Sequence, residues 1–185
     1  IQGQKKERGY SFTAIVIDNS NKQYFAKWIK GIDKNSQPGK LFMDKLRSLK
    51  KIKSDYIPEI IEYGFDNSEQ AYCIIYQYLT YQPLTEINNL HPVYFLKGIL
   101  QIAKTLQEIQ QQNIFHEDIH PDNILVDNNN NFYLIDLGLS RITTTLSQAK
   151  HLETFARDFA APEKWNNKIE KGFPFQSDIY SIGKV

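Results

Sequence analysis

The sequence predicts an α+β protein in two lobes, β-rich at the start and mainly helical afterwards. Three observations carry that reading. Residues 10–30 hold two β-prone runs around a polar turn, and residues 57–79 hold two more. From about Thr80 the pattern changes, and a long stretch with apolar residues at helical spacing follows. The chain has 185 residues, 41% of them hydrophobic and 23% charged, enough to bury a real core. The predicted lobes are residues 1–79 and 80–185.

Each element has its own signal. Tyr10, Phe12, Ala14 and Val16 alternate with polar or smaller residues, and Asp18-Asn19-Ser20-Asn21 supplies a turn before a second run, Tyr24–Ile29. Gln37-Pro38-Gly39 reads as a break in the chain. Leu41–Ile52 then reads as a helix, with Phe42, Leu46, Leu49 and Ile52 along one side. Two strands are expected over 57–65 and 71–79; Ala71–Tyr76 is nearly continuous in apolar character, the mark of a strand covered on both faces. His91-Pro92 opens a helix that runs to about Gln112, with Phe95, Ile99, Ile102, Leu106 and Ile109 as its apolar stripe. Ile124–Val126 and Phe132–Ile135 are short strands joined by the Asn-rich turn Asp127–Asn131. No internal repeat is present.

Composition narrows the functional classes. The net charge of +1 gives no basic field for nucleic acid or a membrane surface. A lone Cys73 forbids an intrachain disulfide and suits a reducing, cytoplasmic setting. No run reaches the length of a bilayer span, and Ile1-Gln2-Gly3-Gln4 has no apolar signal core. The first residue is not Met, and Ser177–Val185 reads as a helix that stops while still apolar, so the domain is expected to be part of a larger multidomain chain.

The chemistry concentrates in His116-Glu117-Asp118-Ile119-His120-Pro121-Asp122-Asn123, followed by Asp136-Leu137-Gly138. An isolated loop aspartate commonly caps a turn. Asn123, five residues on and just before an apolar strand, changes that reading for Asp118. A carboxylate to take a hydroxyl proton, with an Asn/Asp pair for magnesium, is the set phosphoryl transfer needs.

Together with Ala161-Pro162-Glu163 and Asp178-Ile179-Tyr180-Ser181-Ile182-Gly183, these motifs resemble the protein kinase family over nearly the whole chain. The resemblance implies a bilobal protein-kinase-like fold whose helical lobe ends within a late helix. It implies transfer of the γ-phosphoryl of Mg-ATP to a protein hydroxyl, most simply Ser or Thr. Asp118 would then be the base. Asn123 and Asp136 would hold magnesium. Lys27 would sit on the α- and β-phosphates, with Lys30 as an alternative. Tyr76, Gln77 and Leu79 would form the segment that meets adenine, and Gly9 with Phe12, as a loop-tip aromatic, would cover the phosphates. Asp178 would brace the backbone of the Asp118 loop.

The departures from the family pattern are specific. Only Gly9 remains of the glycine loop. Phe25 stands where a small residue usually faces adenine. The helix after Lys27 has no glutamate: Lys45 falls near the expected place, so either Asp44 replaces the glutamate or the ion pair is absent. Glu117 replaces an arginine that receives an activation-loop phosphate, so Thr143, Thr144, Thr145, Ser147 and Thr154 are not expected to activate through it. His120 and Ala156 replace a lysine and its threonine partner. Two other readings follow: a weak or inactive kinase serving as a nucleotide-binding or regulatory module, and a small-molecule phosphotransferase of the same fold. Ala161-Pro162-Glu163 belongs to the protein-acting branch and argues against the second.

Overall fold

The computed structural model describes residues 6–8, 10–137, 139, 158–162 and 174–185. Packing divides them into two compact units, one made of residues up to 53 with 58–79, the other of 54–57 with the described residues from 80 onward.

The first unit is a five-stranded antiparallel sheet with one helix. Its strands are β1 (Lys6–Arg8), β2 (Ser11–Ile17), β3 (Gln23–Lys30), β4 (Ile60–Asp66) and β5 (Ala71–Gln77), in the order β1-β2-β3-β5-β4. The β2–β3 register pairs Phe12 with Trp28 and Ala14 with Ala26, and the β3–β5 register pairs Lys27 with Ile74 and Ile29 with Tyr72. Cross-strand partners share a face. One face therefore carries Phe12, Ala14, Ala26, Trp28 and Ala71, all buried in one cluster. The other carries Phe25, Lys27, Ile29, Tyr72, Ile74 and Tyr76.

Helix α1 (Gln37–Leu49) lies on this second face, because Phe42 packs 4.9 Å from the Tyr72 ring. Gly39, Phe42, Leu46 and Leu49 form its buried side. Each large side chain there contributes about 1.5–3 kcal/mol by burial. The helix begins before the Leu41 expected from sequence. Gln37-Pro38-Gly39 does not break the chain but forms the first turn, where proline's missing N–H costs nothing. Ser36 caps it by accepting the Gly39 N–H at 3.1 Å. Glycine is required at 39: a Cβ there would lie 2.3 Å from the Asp33 carbonyl and 2.8 Å from the Tyr72 hydroxyl.

The placement of Phe12 corrects another expectation. It is not a loop-tip aromatic. It sits inside β2, 2% exposed, and stacks on Trp28 with ring centroids 4.8 Å apart. Alternation along β2 sends its ring into the core, while Tyr10, outside the strand, is 49% exposed. Asp18 organises the β2–β3 turn by accepting the Ser20 and Lys22 N–H groups and the Tyr24 hydroxyl. Asp66 does the same at the β4–β5 turn, taking Ser68 and the Trp28 indole N–H at 2.9 Å.

The second unit is built on α2 (Pro92–Gln110), which follows the short strand β6 (Gln82–Pro83) and a 3-10 turn, Leu84–Glu86. His91 caps α2, its Nδ1 accepting the Val93 N–H at 3.2 Å. Ile102, Leu106 and Ile109 are buried, as the stripe predicts. A second 3-10 turn, Pro121–Asn123, leads into β7 (Ile124–Val126) and its hairpin partner β8 (Phe132–Leu134); with β6 these make a three-stranded sheet in the order β6-β7-β8. Helix α2 seats Gly98 on the buried Phe132 ring. Helix α3 (Pro174–Lys184) packs against α2. Among the described residues no helix is long and apolar enough to cross a membrane.

Candidate active site

The segment 114–123 joins α2 to β7 without regular structure except its final 3-10 turn. Hydrogen bonds to distant residues hold it instead. The Asp178 carboxylate in α3, 1% exposed, accepts the His116 N–H on Oδ2 and the Glu117 N–H on Oδ1, both at 2.8 Å. Sequence likeness assigned this bracing to Asp178, and the geometry has that form. Two buried backbone donors would otherwise lack acceptors at a cost of about 1–3 kcal/mol each.

His116 is fully buried and links two strands of the network. Its Nε2 lies 2.9 Å from the Ile135 carbonyl, and its Nδ1 accepts the Asp118 N–H at 3.3 Å. A carbonyl only accepts and a backbone N–H only donates, so the Nε2–H tautomer satisfies both. Asn123, 7% exposed, donates from Nδ2 to the Asp118 carbonyl at 2.9 Å, and its own carbonyl accepts the Ile135 N–H at 3.1 Å. Asp136 follows directly, half-buried and at φ +62°, a conformation Asp tolerates better than most residues. The structure thus brings Asp118 and Asn123 together and ties the residue before Asp136 to His116 and Asn123.

Two features of this loop had no local sequence signal. Asp122 accepts the Thr85 hydroxyl at 2.8 Å, fastening the first 3-10 turn to the second. His120 is largely buried, and among the described residues its Nδ1 has no hydrogen-bond partner; an Asp122 carboxylate oxygen is 3.7 Å away.

In the sheet, Lys27 and Lys30 are three residues apart and so face opposite ways. Lys27 is half-buried on the α1 side. Lys30 is exposed, with its ammonium 4.8 Å from the Phe12 ring on the other side. Tyr76 meets Phe25 across the strands, ring centroids 6.4 Å apart. Gln77 ends β5 with its N–H donated to the Glu59 carbonyl at 2.9 Å, and Leu79 follows, half-buried. Asp44 lies on the exposed side of α1, bonded to Arg47 at 2.6 Å. Lys45 is half-buried beside it. Burial pushes the Cys73 thiol up to about 11, which keeps it protonated at neutral pH. Gly9, Gly138, Ala156, Glu163 and the Thr143–Ser147 and Thr154 positions lie outside the described residues.

Comparison with known proteins decides the family. The model of the protein kinase domain matches residues 9–185. The chain belongs to the protein kinase family. A meiosis-specific serine/threonine-protein kinase of Schizosaccharomyces pombe is 28% identical over 96% of this chain and 43% of its own length. A putative serine/threonine-protein kinase of Acanthamoeba polyphaga mimivirus is 30% identical over 78% of this chain and 58% of its own. This kinase domain thus spans well under two thirds of the curated relatives it matches. The maize sucrose-induced receptor kinase 1 kinase domain, solved with AMP-PNP, superposes with a TM-score of 0.75 at 21% identity, covering 97% of this chain and 66% of that one. That likeness is one of fold.

Proposed function

We propose that this domain transfers the γ-phosphoryl group of Mg-ATP to a serine or threonine hydroxyl of a protein. The observation that carries the proposal is the buried frame Asp178–His116–Ile135–Asn123, which fixes the backbone on either side of Asp118 and ahead of Asp136. Phosphoryl transfer asks mainly for positioning and charge stabilisation, and a rigid frame supplies the first.

Asp118, with its own N–H and carbonyl tied down, orients the acceptor hydroxyl and takes its proton. Asn123 commits its Nδ2 to the Asp118 carbonyl, which leaves Oδ1 as the end suited to a hard cation. With the Asp136 carboxylate this is an oxygen donor set of the kind magnesium takes when phosphates complete its shell. Bound there, magnesium would neutralise phosphate charge. Lys27 binds the α- and β-phosphates, and the Tyr76–Leu79 segment meets the base. The naming of both relatives above as serine/threonine kinases supports the acceptor class.

A specific observation favours a second reading, a nucleotide-binding domain with little transfer: Asp44 is spent on Arg47 at the exposed side of α1 and does not stand in for a helix glutamate. The deciding experiment supplies γ-labelled ATP, magnesium and dephosphorylated casein. Label on casein serine or threonine in the native protein, lost in Asp118→Asn, is expected. Nucleotide-dependent thermal stabilisation without label would select the second reading. Label on an aminoglycoside or choline in preference to protein would contradict both.

A further inference from the structure

The face of the sheet that carries Lys27 also carries Ile29, Tyr72 and Ile74, and α1 covers it. The Tyr72 hydroxyl donates to the Gly39 carbonyl at 3.2 Å, so the helix is seated there at two points. Lys45 lies three residues, or about 4.5 Å of helix rise, beyond Phe42 and beside the buried Leu46. It is half-buried at the margin of the packed side, whereas Lys40, Lys50 and Lys51 are exposed. The helix has one acid, Asp44, whose side chain is 64% exposed and bonded to Arg47. The packed margin of α1 therefore carries a cation at 45, and the one acid of the helix lies on its exposed side.

We propose that Lys45 is a second phosphate-binding residue, acting with Lys27 on the nucleotide's triphosphate; this rests on the nucleotide reading above. One lysine on the sheet face and another on the margin of the helix packed against it suit a multiply charged anion, and charge-assisted hydrogen bonds to phosphate are the strong kind. A plain alternative is that Lys45 only lays its methylene stem along the core. Lys45→Met keeps that stem and removes the charge, so it separates the two.

The test is calorimetric titration of the whole chain with Mg-ATP, AMP and magnesium tripolyphosphate, together with thermal unfolding of the free protein. Lys45→Met is expected to weaken Mg-ATP and tripolyphosphate about tenfold, with AMP affinity and the unfolding temperature unchanged. Lys45→Arg should bind like the native protein, and Lys45→Glu should bind worse than Lys45→Met. Tighter or equal Mg-ATP binding by Lys45→Glu would overturn the proposal, as would equal losses for ATP and AMP in Lys45→Met. If the native protein binds neither Mg-ATP nor tripolyphosphate, the nucleotide reading itself fails and this one falls with it.

Discussion

Asp178 Oδ1 accepts the Glu117 N–H at 2.8 Å, and Glu117 is held at φ +67°. A non-glycine residue in that region is strained, and it persists where the surroundings over-determine it. The Asp178 carboxylate does so from a helix 61 residues away in sequence. Asp178→Ala strands two buried donors, so we expect a loss of about 3–5 kcal/mol. Urea unfolding measures it. A loss under 1 kcal/mol would show that other contacts hold the loop.

Gly98 makes a second structural prediction. A Cβ there would sit 2.5 Å from three atoms of the Phe132 ring, which is fully buried. Alanine improves helix propensity by about 1 kcal/mol, but the clash forces α2 away from β8. Overpacking costs about 1–3 kcal/mol, so Gly98→Ala should be destabilising on balance. A raised unfolding temperature would mean the ring moves freely aside.

Much of this was legible in the sequence where one physical signal dominated. The apolar stripe of α2, the Asp18–Asn21 turn and the β7–β8 hairpin each follow from spacing or turn chemistry. The start of α1 was misread because Pro38 and Gly39 usually interrupt helices. Here Pro38 occupies the first turn and Gly39 the point of closest packing on Asp33 and Tyr72, a tertiary reason invisible locally. Motif likeness points Phe12 to a loop tip, whereas the period-2 alternation of β2 sends its ring into the core. The frame around Asp118 could be read only through Asp178. The His116–Ile135 and Thr85–Asp122 links depend on chain crossings that no local pattern encodes.

Phe25 should govern nucleotide affinity. Along the Lys27 face one direction is filled by Ile29 and Tyr72, each 1% exposed under α1. On the proposed nucleotide reading the base would extend the other way, towards the half-buried Phe25 and Tyr76 rings. There the Phe25 ring would crowd it, so Phe25→Ala should tighten Mg-ATP by about tenfold in titration calorimetry. Weaker binding would mean that the ring supports the base instead of obstructing it.

Acid should loosen the sheet through Asp66. Hydrogen bonds from the Ser68 side chain and then the Trp28 indole hold its carboxyl at about 2, against an ordinary 3.8. A depressed carboxylate stabilises the fold above its unfolded value, and that contribution is lost as pH falls from 3.8 through about 2. Asp66→Asn should therefore be less stable than the native protein at pH 5, with the gap closing by about pH 2. A gap constant across that range in urea titrations would remove the linkage.

Phosphate transfer by Asp136→Asn probes the proposed magnesium site itself. The substitution keeps the size of the side chain and removes the charge proposed to hold magnesium, at a position whose preceding residue stays bonded to His116 and Asn123. Label transfer from γ-labelled ATP to casein should fall at least about a hundredfold while the unfolding temperature stays within a few degrees. Transfer at the native rate, with the same dependence on magnesium, would show that Asp136 does not hold the metal for phosphoryl transfer.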